Sequence, residues 1–488
     1  MQSDLTIKNT AKTAGFLLAR LTSVATLGGF LFGYDTAVIS GAIGALDTNF
    51  ITPRGLEATA AGSLSGWMVS CALLGCVIGS AVAGWASRYL GRRGGLMLAA
   101  LLFLVSAIGT AYPELLLSKT LGGLGVNALT PFVVYRILCG VAIGIASMLS
   151  PLYIAEIAPS AVRGRLVSCN QLSIVVGILV AFVVNLVIAA QGDVAWLNHI
   201  GWRLMLGSEA VPALLFFLLL IGVPDTPRWF VSRGRIDEAR AVLARLEPER
   251  VEQSLAEMRS VHSEVVAPLF SHGAMVIFVG IGLSILQQAV GINAVLYYAP
   301  LMFRNLAASA NSALVQTVVV GIANLLFTFV AIGTVDRLGR RALLMAGSAI
   351  MTMAMAVLGL LFTFQTVGFY ALAAVVIFTA GFAFSWGPVT WVLLAEIFPA
   401  AIRGRALAIA VAVQWIANFL VSWSFKVLDG NVALNQWSHH GFAYFFYAGA
   451  SALSLLFVWR TVPETMGRSL EQIEQNWKAP GELAEGKL

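Results

Sequence analysis

Apolar runs of bilayer length recur along the whole chain, and no other feature of the sequence restricts its fold so strongly. A helix needs roughly 20 apolar residues to cross a bilayer. Runs near that length occupy residues 21–46, 61–84, 94–112, 130–155, 166–190 and 203–222. After a polar segment, 224–272, six more follow at 273–303, 312–334, 341–363, 369–396, 404–428 and 441–462. The chain is 59% apolar and 11% charged, against about 25% charged in soluble domains, so it has too little polar surface to cover a globule. These runs predict an all-α membrane protein of twelve transmembrane helices in two six-helix halves, divided as 1–223, 224–272, 273–465 and a tail, 466–488.

The two halves are copies. Ala155-Glu156-Ile157-Ala158-Pro159-Ser160-Ala161-Val162-Arg163-Gly164-Arg165 returns as Ala395-Glu396-Ile397-Phe398-Pro399-Ala400-Ala401-Ile402-Arg403-Gly404-Arg405. Gly91-Arg92-Arg93 returns as Gly339-Arg340-Arg341, and Val223-Pro224-Asp225-Thr226 as Val462-Pro463-Glu464-Thr465. Three motifs repeated in one order mark an internal duplication.

The net charge of +6 comes from arginines in short loops between the runs, which sets topology rather than nucleic-acid binding. Lysines and arginines concentrate on the side of the termini, so both termini are expected in the cytoplasm. The segment around Asp237–Leu246 has apolar residues at helical spacing and predicts short amphipathic helices, which either latch the halves or merely connect them. The tail after Trp477 lacks periodicity and is expected to be unstructured. Cys71, Cys76, Cys139 and Cys169 have no metal-site spacing and read as reduced core residues.

Ionisable groups inside apolar runs are the most informative, because each costs about 2.5–3.5 kcal/mol at a helix centre on insertion scales. Asp35, Arg136 and Glu209 are such groups and are expected to meet across the first half, either as a static pair or as a functional one. A second set is uncharged: Gln171, Gln287, Gln288, Asn293, Asn324 and Gln414, with Trp415 beside the last. Side-chain amides both donate and accept, which suits a ligand covered in hydroxyls, though each alone serves equally as interhelical glue. Trp386, Trp391, Tyr297 and Tyr298 are candidate apolar walls. Gln287–Asn293 predicts an unwound turn in the seventh span, and Gly387-Pro388 a break in the tenth. At the span ends Glu156 with Arg163, Glu396 with Arg403, and Asp336-Arg337 with Arg340-Arg341 are expected either to pair between halves as a gate or only to set topology. No Walker-type loop, catalytic constellation or metal-ligand spacing appears, so no cofactor, metal or enzymatic role is expected.

With these residues in view, the chain resembles the sugar porter family of the major facilitator superfamily over nearly its whole length. The resemblance is carried by Gly33-Tyr34-Asp35-Thr36-Ala37-Val38-Ile39-Ser40-Gly41, Pro224-Asp225-Thr226-Pro227-Arg228-Trp229, Gln287-Gln288 with Gly291-Ile292-Asn293, Tyr297-Tyr298-Ala299-Pro300 and Pro463-Glu464-Thr465. It implies a monosaccharide carrier of the bacterial inner membrane that works as a monomer by alternating access. Gln171, Ile178, Gln287, Gln288, Asn293, Tyr297, Asn324, Trp391, Gln414 and Trp415 would then face sugar. Asp35, with Arg136 and Glu209, would couple transport to protons, and Arg92, Glu156, Arg163, Asp336, Arg340, Glu396 and Arg403 would form a cytoplasmic gate. A passive uniporter and a non-transporting sensor are the alternatives. Three departures stand out. Arg88-Tyr89 replaces an acid or amide followed by a basic residue, Met466 replaces a lysine, and Ile178 replaces the glutamine of xylose symporters, as glucose transporters also do.

Overall fold

The computed structural model describes residues 2–115, 124–159, 162–260, 268–305, 310–366, 368–399 and 402–467, with side chains from residue 15 onward except at 260, 305, 310, 311 and 336. Among the described residues the regular structure is helical, and twelve helices are long and apolar enough to cross a membrane. They are span 1 (Gly15–Arg54), span 2 (Ala58–Tyr89), span 3 (Gly91–Ala111), span 4 (Gly125–Ile157), span 5 (Arg163–Ala189) and span 6 (Val194–Ile221), then span 7 (Ala274–Arg304), span 8 (Ser312–Val335), span 9 (Arg340–Thr363), span 10 (Phe369–Ile397), span 11 (Arg403–Asp429) and span 12 (Phe442–Thr461). Several outrun the apolar stretch that announces them, because backbone hydrogen bonding continues a helix past the last apolar residue. The expected amphipathic helices are Pro227–Ser232, Ile236–Leu246 and Val251–Ser260, the second burying Ala239, Val242, Leu243 and Leu246. The tail beyond Trp477 lies outside the described residues.

Glycines bring the spans of one half into backbone contact. Gly75 and Gly79 of span 2 meet Ile137, Gly140 and Val141 of span 4 so closely that any side chain would strike backbone, and Gly33 of span 1 meets Ile174 of span 5 in the same way.

Three spans are interrupted near mid-length. Span 7 divides into Ala274–Ala289 and Ile292–Asn305 around Gly291, whose φ of 93° belongs to the left-handed region that glycine adopts without strain. Span 10 divides into Phe369–Ala383 and Trp386–Ile397. Its break falls at Phe384-Ser385 rather than Gly387-Pro388, because proline acts on the carbonyl four residues back, here Phe384. The same rule explains a break that the sequence reading missed. Span 6 divides into Trp202–Gly207 and Ala210–Ile221, and Pro212 stands four residues after Ser208.

The halves meet on the face opposite the arginine-rich loops. Lys426 of span 11 lies 3.4 Å from the Asp47 carboxylate of span 1, which also accepts a 2.6 Å bond from Ser65 of span 2. The Trp423 indole donates to the Ser63 carbonyl at 3.2 Å, and Trp67 and Phe32 pack edgewise on Phe419 and Trp415. At mid-depth Gly321 of span 8 admits Phe182 and Leu179 of span 5. On the arginine-rich face the charge pairs described below each stay within one half. Among the described residues, the ion pair between halves lies on the opposite, closed side.

Candidate functional site

Two arrangements occupy the middle of the bundle. In the first half, Arg136 of span 4 donates a short hydrogen bond to Asp35 of span 1, with both side chains almost wholly buried. Glu209 is also buried and sits at the interruption of span 6. The three charges expected to meet therefore do so, joined by a cysteine whose spacing predicts only inert core. The Cys139 thiol lies 3.2 Å from the Asp35 carboxylate and 4.0 Å from that of Glu209. Only its place one helical turn after Arg136 could have singled it out. Asp35, Cys139 and Glu209 present possible metal-ligand atoms within 4.8 Å of one another, but the Arg136 guanidinium already supplies the positive charge there. Cys71 and Cys76 are likewise buried and free. Cys169 is exposed and corrects the core reading, since it lies in the first turns of span 5, near the polar loop.

The second arrangement belongs to the other half. Gln287 donates to the Trp386 carbonyl at 3.0 Å, Gln288 donates to the Gln287 side chain at 3.2 Å, and Asn293 donates to the Gln288 side chain at 2.6 Å. Gln414 of span 11 donates a short bond to the same Gln287 oxygen. Expected as six amides from four spans, the hydrogen-bonded set is four amides from spans 7 and 11. The break in span 7 is what lets Gln288 and Asn293 face each other. Among the described residues, the Gln414 side-chain oxygen and the Trp415 indole N–H are buried without a hydrogen-bond partner, one acceptor and one donor left for a ligand.

Gln171 is half-buried, Asn324 and Ile178 are buried and Trp391 is partly exposed. None of them joins this chain by a hydrogen bond among the described residues. Trp386 is no wall: it is fully buried, with its indole N–H on Ser348 at 2.8 Å and its carbonyl held by Gln287. Tyr298 is buried and stacks on Phe425, while its hydroxyl donates to the Ser422 carbonyl at 3.1 Å. Tyr297 lies between the two arrangements, four residues after Asn293 in span 7 and close to Asp35 and Thr36 of span 1. The charged cluster and the amide chain thus face each other across the interface between halves, with Tyr297 between them.

On the arginine-rich face the three duplicated motifs turn out to be one device, built twice. Glu156 pairs with Arg92 at 2.8 Å and accepts a 2.5 Å bond from Thr226. Glu396 pairs with Arg340 at 3.1 Å and accepts a 2.6 Å bond from Thr465. Asp225 receives the backbone N–H groups of Arg92 and Arg93, and Glu464 those of Arg340 and Arg341. Each acid so caps the helix start that follows a left-handed glycine, Gly91 or Gly339. Burial pushes the Asp225 carboxyl above its ordinary range. Burial opposes Glu464 as well, yet the N–H donors of Met466, Arg340, Arg341 and Thr465 outweigh it and hold that carboxyl low.

This arrangement corrects the gate expected between halves. Glu156 and Glu396 pair inside their own halves, because the returning Pro-Asp-Thr or Pro-Glu-Thr segment brings each motif back to its own bundle. Arg163 and Arg403 instead donate to the Ala158 and Phe398 carbonyls, at 3.4 and 3.0 Å. The Asp336 side chain lies outside the described residues.

Comparison with known proteins gives consistent findings. A sequence profile described as "Sugar (and other) transporter" matches residues 21–477. The D-xylose-proton symporter of Escherichia coli is 47% identical over 481 residues, covering 96% of this chain and 97% of that protein. The glucose facilitated diffusion protein of Zymomonas mobilis is 46% identical over 468 residues, covering 95% and 98%. The inward open conformation of the xylose transporter XylE from E. coli superposes with a TM-score of 0.84 at 45% identity, covering 94% of this chain and all of that one.

Proposed function

Because the chain belongs to the sugar transporter family of the major facilitator superfamily, we propose that it takes up a monosaccharide, glucose or xylose in kind, together with a proton. The family read from the motifs is borne out by the match over residues 21–477. Twelve spans make it a multi-pass membrane protein. The arginine-rich face is cytoplasmic on this reading, with both termini, since basic loops stay inside. One chain carries both arrangements, so a monomer suffices. The halves run 1–223 and 273–465, joined by 224–272 and followed by a tail, 466–488. Chemistry on the sugar forms no part of the reading.

One observation carries the proton assignment: a carboxylate, Asp35, is buried against Arg136 and close to Tyr297, which lies on the same half-span as Asn293 of the amide chain. A buried charge of this kind is stable only while paired. When the other half moves off the Asp35–Arg136 pair, water reaches and weakens it, and an Asp35 freed in this way takes up a proton. Sugar held by Gln287, Gln288, Asn293, Gln414 and Trp415 biases that movement through Tyr297. Gln171, Ile178, Asn324 and Trp391 contribute once the halves close around the ligand. The duplicated clamps keep each half rigid while it rocks, and Arg163, Arg403 and Asp336 act between halves in the state open to the other side.

Proteoliposomes holding the purified protein test the reading. Sugar accumulates under an imposed proton gradient and brings protons in with it. Sugar equilibration that ignores the gradient, with no proton entry, would replace symport by facilitation, the activity named for the Zymomonas relative.

A further inference from the structure

A basic cleft on the arginine-rich face has no part in the transport reading. It has a volume of about 440 Å³ and lies between the end of span 2 and the helix Pro227–Ser232, lined by Ser87, Arg88, Arg92, Trp229, Ser232 and Arg233. Arg92 is committed to Glu156. Arg88 and Arg233 differ from it: among the described residues neither forms an ion pair with a carboxylate. Arg233 donates to the Arg88 carbonyl at 2.7 Å, and the Trp229 indole donates to the same carbonyl at 3.3 Å. Both guanidinium groups lie over the Tyr89 ring, at 5.7 and 5.8 Å. A hydrogen bond fixes the Arg233 guanidinium, both cations approach the one Tyr89 ring, and neither has a carboxylate counter-charge among the described residues.

Arg88-Tyr89 is also one of the departures from the family pattern, and it sets the cation one position earlier, beside an aromatic ring. On the same turns Trp85, Tyr89 and Leu90 expose large apolar surface. A cation pair beside exposed aromatic side chains at the end of a membrane span matches the depth of a phospholipid headgroup. We propose that this cleft binds a phosphate-bearing anion, held by Arg88 and Arg233 over the Trp229 and Tyr89 rings, with an anionic phospholipid as its source. Guanidinium groups present paired N–H donors that fit phosphate oxygens. Bound there, the phosphate also ties the segment after span 6 to the end of span 2.

Native mass spectrometry of the detergent-solubilised protein, titrated with phosphatidylglycerol, phosphatidylcholine or soluble glycerol phosphate, tests the site. The wild type is expected to retain phosphatidylglycerol over phosphatidylcholine, and Arg88→Gln with Arg233→Gln to weaken that binding about tenfold or more. Arg88→Lys should restore part of it. Sugar counterflow in phosphatidylcholine vesicles serves as the check that the variants fold. Stronger binding of glycerol phosphate than of the lipid would keep the phosphate site and move its source to the solution. Equal retention of both lipids by the wild type, with no binding of glycerol phosphate, or undiminished phosphatidylglycerol binding by the double variant, would overturn the proposal.

Discussion

Asp35 and Ile178 make the sharpest claims at the scale of single residues. Asp35→Asn keeps the shape of the protonated acid and leaves Arg136 beside Glu209. Sugar binding and counterflow should therefore persist while accumulation against a gradient is lost. One charge moved through 100 mV is worth roughly 2.3 kcal/mol, about fifty-fold in concentration at a factor of ten per 1.4 kcal/mol, so the loss is large enough to measure. Arg136→Ala should cost more, about 3–5 kcal/mol in stability, because it strands a buried carboxylate, and a melting curve in detergent reads that directly. If Asp35→Asn still concentrates sugar, the acid is not the proton carrier. Ile178 is buried next to Gly177, which packs on the Phe30 carbonyl of span 1. An apolar side chain there discriminates weakly, about 1–3 kcal/mol, whereas a hydrogen-bonding one discriminates strongly. The wild type should accept both glucose and xylose, and Ile178→Gln should raise the preference for xylose in competition assays. An unchanged ratio would remove this position from specificity.

Among the elements, the interrupted spans separate what could be read from the sequence from what could not. The turn in span 7 was legible because Gln287, Gln288, Gly291 and Asn293 crowd polar and flexible residues into one stretch. The break in span 6 was not, although Pro212 and an intramembrane acid together signalled it. The amide partners were legible only as a composition, since hydrogen-bond direction depends on how spans 7 and 11 approach. The duplicated clamp was visible as three repeated motifs, but linear order cannot show that an acid at the end of each half returns to cap a helix near its start. Outside the spans, His440 between spans 11 and 12 gives an element-scale prediction. Its bond to Asp429 raises its pKa above the usual 6.5. The stabilisation is therefore complete below pH 6.5 and disappears as pH rises through the raised value. Wild type and His440→Gln should differ in thermal stability at acidic pH and converge at alkaline pH, and a constant difference would exclude the pair as the cause.

For the whole molecule, closure rests on the backbone approach of spans 2 and 11 at Gly62 and Gly66, on Lys426 with Asp47, on Trp423 with Ser63, and on aromatic edges between spans 1, 2 and 11. Lys426→Met or Asp47→Asn should bias the protein toward opening on that face, about five-fold for a loss near 1 kcal/mol. Distances between spin labels placed across the two halves would report the shift, and identical distributions in both variants would show that the pair does not hold the face shut. The paired clamps matter for biosynthesis as well. Each half carries its own capping acid and its own Arg–Glu pair, so the first six spans can reach a sealed, finished form while the ribosome is still making the rest. Synthesised as two separate polypeptides divided within 261–267, the halves should each insert, find one another in the bilayer and restore counterflow. Degradation of the first piece unless the second is made with it would mean that assembly, rather than translation order, completes the fold.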